Sequence, residues 1–283
     1  MQDHREAATE IVRRLTEAGH VAYFAGGCVR DELLGRAPED YDVATDAPPE
    51  RISALFRRTR EVGRAFGVVL VRKNQIWVEV ATFRVEHGYS DGRRPDAVTF
   101  CNAEQDALRR DFTINALFID PLDTGDRPGG RVIDHVQGLA DLDARMVRAV
   151  GDPEARLAED NLRALRAVRF ASRLRFALDV GTAEAVRRHA TELAGVSRER
   201  IGDELRRMFG HAQRADAASY MHALGLDGPT LDEPAMGDVP LEAMEASAPM
   251  RPSPSRSLPG PSIEPRRRVT LATRTRWRHG RRT

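Results

Sequence analysis

The chain is poor in cysteine. Cys28 and Cys101 are its only two among 283 residues. Two thiols cannot build a Cys-rich zinc site, and in an intracellular setting free thiols are expected in place of a disulfide framework. No apolar run approaches the roughly 18 residues of a spanning helix, so no membrane segment is expected. No Gly-x-x-x-x-Gly-Lys-Ser/Thr stretch is present, which excludes a P-loop NTPase. No histidine is followed by aspartate, which removes the simplest mark of an HD-type phosphohydrolase. The N-terminus, MQDHREAATE, is charged from the start and lacks the shape of a signal peptide, so the expected location is cytoplasmic.

Net charge is also nearly absent, at +1, but the balance is uneven. Residues 251–283 hold ten Arg against the single acid Glu264, so the preceding 250 residues, with 34 basic and 42 acidic side chains, sum to −8. Hydrophobic content of 41% and charged content of 31% fit a globular protein with a buried core, and the length suggests two domains.

The most informative stretch is Tyr23–Thr45, YFAGGCVRDELLGRAPEDYDVAT. It reads as strand, glycine turn, helix, loop and strand. Gly26 and Gly27 let the backbone approach a ligand closely and leave amide N–H groups free at a helix start, a favourable place for phosphate oxygens. Arg30 falls in the first turn and can reach the same phosphates. Asp40 and Asp42 are two apart; on a strand they share a face and can grip one hard cation, Mg²⁺ in this setting. A phosphate cradle beside two carboxylates is a layout for nucleotidyl transfer. Each piece alone has a plain reading, a tight turn or a capped loop.

Around this stretch the spacing predicts a helix over 4–18, with Ala7, Ala8, Ile11, Val12 and Leu15 inward and Gly19 as its stop. A helix over 49–58 follows, with Ile52, Leu55 and Phe56 inward. Residues 66–71 and 76–83 read as a β-hairpin. Glu79 stands among apolar residues in the second strand. A solvent-facing position explains it; so does a third metal-facing carboxylate, since a cation offsets the cost of a buried charge. Residues 84–96 and 121–130 read as loops, and Arg109-Arg110-Asp111 as a salt-bridged helix start or a ligand contact. Short strands are expected at 132–133 and 147–150, with a short helix at 139–142 between them.

Gly151-Asp152-Pro153 breaks the chain, and from there the pattern is helical. One helix is expected over 154–174, with Ala158, Leu162, Leu165, Val168 and Ser172 on a stripe, and with Asp160 and Arg163 close enough to pair. Helices over 183–193, 199–209 and 212–224 follow. Residues 228–283 are rich in Pro and then in Arg, and read as disordered.

GGCVRDELLGR with DYDVAT resembles the first motif of the class II tRNA nucleotidyltransferases and bacterial poly(A) polymerases, members of the polymerase β-like superfamily. LRRDFTINAL resembles their second motif, and EDNLRALRAVRF their base-reading motif. The likeness covers about residues 20–226. It implies an α+β fold: a mixed-sheet catalytic head over 1–151, an all-α neck over 152–226 and a disordered tail over 227–283. It implies Asp40 and Asp42 as Mg²⁺ ligands, with Glu79 assisting catalysis. Gly26, Gly27, Arg30 and Arg110 would hold the triphosphate, and Asp111 would order its segment. Asp160 and Arg163 would read the edge of the incoming base, so that the protein acts as the template, while Arg166 and Arg169 contact phosphates. The implied partners are ATP, CTP and the 3′ end of tRNA; no protein partner is evident. Poly(A) synthesis, addition of only A or only C, and a weakly active nucleotide- or RNA-binding remnant fit the same motifs. The resemblance is not expected to extend past about residue 226, where members of the family usually continue through helical body and tail domains.

Overall fold

The structure is a computed structural model that describes residues 4–63, 66–87, 97–125 and 129–231. Helix α1 (His4–Glu17) buries the expected stripe of Ala7, Ala8, Ile11, Val12 and Leu15 completely, and Gly19 turns the chain at a φ of 86° that suits glycine. Strand β1 (Ala22–Ala25) then leads into α2 (Gly27–Leu33) and β2 (Asp42–Thr45). Helix α3 (Pro49–Leu55) starts on a proline at its first turn, a position where the missing N–H costs nothing. Strands β3 (Thr59–Gly63), β4 (Val68–Lys73), β5 (Ile76–Thr82), β6 (Arg84–His87) and β7 (Ala97–Phe100) follow, then α4 (Ala103–Leu108) and a 3₁₀ turn at Thr113–Asn115. Strands β8 (Phe118–Asp120) and β9 (Arg131–Ile133), helix α5 (Gly138–Asp143) and β10 (Met146–Val147) close the mixed-sheet part.

Seven strands form one mixed sheet in the order β3-β4-β5-β2-β1-β8-β9. Every pairing in it is antiparallel except β2 with β5, which run parallel. That single parallel pair decides the geometry of the site. Val43 lies beside Val80 and Ala44 beside Ala81, so Asp42 and Glu79 emerge on the same face of neighbouring strands. Alternation along β5 buries Val78, Val80 and Thr82 on the other face.

The helical part consists of α6 (Pro153–Glu159), α7 (Arg163–Leu174), α8 (Val180–Arg188), a 3₁₀ segment at Ala190–Gly195, α9 (Arg198–Phe209), α10 (Arg214–Ala223) and α11 (Asp227–Leu231). It is not wholly helical. The two-residue strand β11 (Ala177–Leu178) pairs in parallel with β10. One apolar cluster runs from Ala7 and Ile11 through Phe112 to Val168 and Leu226, so the core is continuous across residue 151.

Several expectations need correction. The helix foreseen over 154–174 is two helices, because Asp160 takes an extended conformation (φ −150°, ψ 102°). The break rotates the register: Leu157 enters the core and Ala158 faces solvent. Residues 84–87, foreseen as loop, pair as β6 with β7; residues 88–96 lie outside the described residues. Arg109 and Arg110 follow the end of a helix and do not start one, since α4 begins at a capping box built by Asn102 and Gln105. Strand character at 147–150 is limited to Val147 and a lone bridge between Ala149 and Phe112. Residues 227–231, placed in the disordered tail, form α11; the rest of that stretch lies outside the described residues. Among the described residues no helix is long and apolar enough to cross a membrane.

Candidate active site

A cavity of about 680 Å³ opens where the sheet face carrying Asp42 and Glu79 meets α7. Gly26, Gly27, Arg30 and Arg110 line it on one side; Asp160, Arg163, Arg166 and Arg169 line it on the other. Ten of the eleven residues expected to touch the nucleotide or the metal therefore face one space, as does Asp111. The eleventh, Asp40, lies outside the lining, because β2 begins only at Asp42 and the shared-face argument for an Asp-x-Asp strand does not extend back to it.

Asp40 still acts on its neighbours. Asp42 opens to the cavity but is closed in elsewhere by protein. This burial, followed by the negative charges of Glu79 and Asp40, pushes its carboxyl up to about 7. Burial also raises Glu79, with Arg84 opposing and Asp40 adding to the effect. Asp42 and Glu79 in the pocket, with Asp40 near enough to act on both, are hard oxygen donors whose mutual repulsion a divalent cation would relieve. Their chemistry fits such an ion. Among the described residues, no three His, Cys, Asp or Glu side chains close on one point to cage it.

The glycine turn is present, and one of its two residues needs a backbone that favours glycine. Gly26 sits at φ 76°, where a side chain would be unfavourable, and a Cβ there would lie 3.3 Å from Arg110 Nη1. Gly27 opens α2. The arginines are held firmly. Arg30 Nη1 donates to Asn115 Oδ1 at 2.7 Å and its Nε donates to Asp31 at 2.9 Å. Arg110 donates through Nε and Nη2 to Asp106 Oδ2 at 3.1 and 2.8 Å, and through Nη1 to the Asn115 carbonyl at 3.2 Å. Its guanidinium lies over the Phe118 ring at 5.0 Å.

Across the cavity, Arg166 donates twice to Asp111 Oδ2, at 2.9 and 2.5 Å. Burial opposes the Asp111 charge, but Arg166, Asn115 and the Phe112 N–H hold its carboxyl at about 2. Arg169 donates to Glu204 and lies 4.3 Å from the Phe170 ring; burial, ahead of Glu204's opposing pull, lowers its pKa. The expected Asp160–Arg163 pair does not form. Arg163 Nη1 donates to Glu159 Oε2 and to the Arg156 carbonyl, each at 2.6 Å, while Asp160 Oδ2 accepts from Arg200 Nη2 at 2.8 Å. The break at Asp160 lets its carboxylate bridge the two elements, Oδ1 accepting from the Leu162 N–H at the start of α7 at 3.1 Å and Oδ2 from Arg200 on α9.

Sequence reasoning passed over Asp106, Asn115 and Arg200. Asp106 is 1% exposed and takes up both Arg109 and Arg110. Its spacing of three and four residues from them, at a helix end, was a readable signal. Arg200 lies 40 residues from Asp160 in sequence, and no local pattern announces the contact.

This fold and cavity define the class of the nucleotidyltransferase heads. Residues 22–148 match the poly A polymerase head domain, and residues 175–229 match the family described as the probable RNA and SrmB-binding site of polymerase A. The chain belongs to this poly A polymerase and CCA-adding family. It is 47% identical over 203 residues to the CCA-adding enzyme of Lactobacillus gasseri, covering 71% of this chain and 49% of that protein. The crystal structure of the Bacillus stearothermophilus CCA-adding enzyme in complex with CTP superposes with a TM-score of 0.72 at 38% identity, covering 81% of this chain and 54% of that one. A tRNA nucleotidyltransferase complexed with a primer tRNA and an incoming ATP analog gives 0.65 at 26% identity, over 78% and 62% of the two chains. The chain spans about half the length of the curated relatives it matches.

Proposed function

We propose that the protein transfers CMP and AMP from CTP and ATP to the 3′ end of tRNA without a nucleic-acid template. The observation that carries this is the meeting, in one cavity, of the carboxylates Asp42 and Glu79, the arginines of two separate motifs, and Asp160 with Arg163. The likeness to proteins whose structures hold CTP, or primer tRNA with an ATP analog, supports the same reading. We assign residues 1–151 to catalysis and 152–226 to recognition of the base and the RNA.

In this reading Asp40 and Asp42 hold Mg²⁺, with Glu79 assisting. Bound there, the ion would lower the pKa of an RNA 3′-hydroxyl and offset charge on the leaving pyrophosphate. The protein's own groups position the reactants. Gly26 and Gly27 admit the triphosphate close to the backbone, and Arg30 and Arg110 present guanidinium edges already fixed by Asn115 and Asp106. Arg166 and Arg169 add positive potential at the opposite wall. Asp160 accepts from the exocyclic amine that cytosine and adenine share, and Arg163 donates to ring nitrogens or a carbonyl.

The test is incorporation on tRNA lacking its 3′ end, with each nucleotide supplied singly and then with CTP and ATP together. Sequential C, C and A addition is expected. Runs of A, or only one nucleotide added, would replace this reading with poly(A) or partial CCA synthesis. Binding without any incorporation would leave a nucleotide-binding protein.

A further inference from the structure

A second cationic feature takes no part in the proposed reaction. Where the C-terminal half of α1 meets the ends of α3 and β4, a groove of about 860 Å³ opens to solvent. Arg13, Arg14, Arg57, Arg58, Arg72 and Lys73 line it, with Leu55 and Phe56 as its apolar part. Two acids, Glu10 and Glu17, oppose these six cations, so the lining carries a net charge of +4. Lys73 binds Glu10 at 2.6 Å, and Arg14 lies 3.8 Å from Glu17. Arg13, Arg57 and Arg58 are exposed and, among the described residues, have no acidic partner. Like charges gathered this way repel one another and are relieved by a bound polyanion.

The groove also connects to the face that carries the candidate catalytic carboxylates. Arg72 pairs across the hairpin with Trp77, and the guanidinium carbons of Arg60 and Arg72 lie 4.6 and 5.7 Å from the Trp77 ring centre. Trp77 is two residues before Glu79 on β5, so the two share a face, about 7 Å apart along the strand. The indole fixes two cations in place and lowers the cost of ordering them when a ligand binds. Arg60 and Arg72 thus carry positive charge from the groove onto the strand face that also holds Glu79.

We propose that this groove holds the phosphate backbone of an RNA strand, at a site distinct from the nucleotide cavity; the proposal rests on the reading that RNA is the substrate. The cations are spread over three elements and do not converge on one point, which suits successive phosphates better than one small anion. Five of the six are arginines, whose planar forks match phosphate oxygens.

The experiment uses the full chain and the triple variant R13A/R57A/R58A, with Arg57→Glu alone as a milder companion should the triple variant unfold. Affinity for tRNA is measured by fluorescence anisotropy across a KCl series, and ATP and CTP affinities in parallel. The expected result is at least tenfold weaker tRNA binding near 100 mM salt, with a slope of log affinity against log salt shallower by about one per lost phosphate contact. Nucleotide affinity should not change. Equal slopes for both proteins overturn the proposal. So does displacement of tRNA by inorganic triphosphate that the triple variant no longer binds, since the groove would then be a small-anion site. If wild-type protein incorporates nucleotides while the slopes are equal, only the groove assignment fails. If the slopes differ but nothing is incorporated, the activity assignment fails and the RNA surface stands.

Discussion

Replacing Asp111 with asparagine keeps the shape of the group and removes its charge. The native carboxylate accepts from the Phe112 N–H at 2.7 Å, from Asn115 Nδ2 at 3.1 Å and twice from Arg166. It is 9% exposed, and its pKa is held at about 2. Against an unfolded value of about 3.9, a depression of about two units corresponds to roughly 2–3 kcal/mol of stability at neutral pH. Asparagine also leaves the Arg166 guanidinium without its counter-charge, and breaking a buried pair costs about 3–5 kcal/mol. A loss of about 2–5 kcal/mol at pH 7 is therefore expected. The sign of the pH dependence follows from the depressed value. The native contribution is complete above about pH 5, declines as the pH falls through about 4, and is gone only near pH 1, below both values. Urea midpoints of both proteins between pH 7 and pH 3 provide the measurement. The gap should hold from pH 7 to about pH 5 and narrow below that, because the unfolded chain takes up a proton at Asp111 while the native carboxylate, held at about 2, is still ionised. A gap of the same size at pH 7 and pH 3 would show that the charge of Asp111 does not stabilise the fold.

Other expectations concern the proposed activity. Asp42→Ala should abolish nucleotide incorporation while the circular dichroism spectrum and Tm stay near wild type, with Glu79→Ala less severe; near-normal turnover of the Asp42 variant at saturating Mg²⁺ would remove it from the metal site. Gly26→Ala places a Cβ at a φ of 76° and 3.3 Å from Arg110 Nη1, so triphosphate affinity should fall by about tenfold, read as a higher Kd for ATP and CTP. Asp160→Ala should lose about 1–3 kcal/mol of base discrimination and admit UTP or GTP. A variant with low activity and unchanged selectivity would instead assign Asp160 to holding Arg200 in place.

Local chemistry was the readable part of this chain. The α1 stripe, the glycine turn at 26–27 and the β4–β5 hairpin each depend on residues within a few positions of one another, and the structure has all three. The parallel pairing of β2 with β5 depends on contacts across more than 30 residues, yet it is what brings Asp42 beside Glu79. An isolated glutamate in an apolar strand only hinted at that. The break at Asp160 was hidden for a different reason. The apolar spacing over 154–174 is helical throughout, and what accompanies the break is the pairing of Asp160 with Arg200, 40 residues away. Tertiary pairing there overrides local propensity, as it commonly does. Strands β6 and β7 lack a two-residue alternation strong enough to separate them from loop, and each is legible only through its partner.

The cavity's arginines share one feature that bears on how it would discriminate among nucleotides. Arg110, Arg163, Arg166 and Arg169 each already hold a carboxylate, from Asp106, Glu159, Asp111 and Glu204 respectively. A cation so engaged is a weaker electrostatic trap than a free one, and affinity alone would favour leaving the arginines unpaired. What the pairing supplies is fixed direction. Each guanidinium is fixed by its carboxylate, and those of Arg110 and Arg163 also by a backbone carbonyl, so little side-chain entropy is lost when a ligand arrives. The same holds for Asp160 and Arg163. Were they bound to each other, as their spacing suggested, a base would have to break that pair before being read. Anchored separately, by Arg200 and Glu159, they stand apart, and both line the cavity. On the proposed reading a protein that replaces a template needs this arrangement, because an edge reader that adapts to any base selects none.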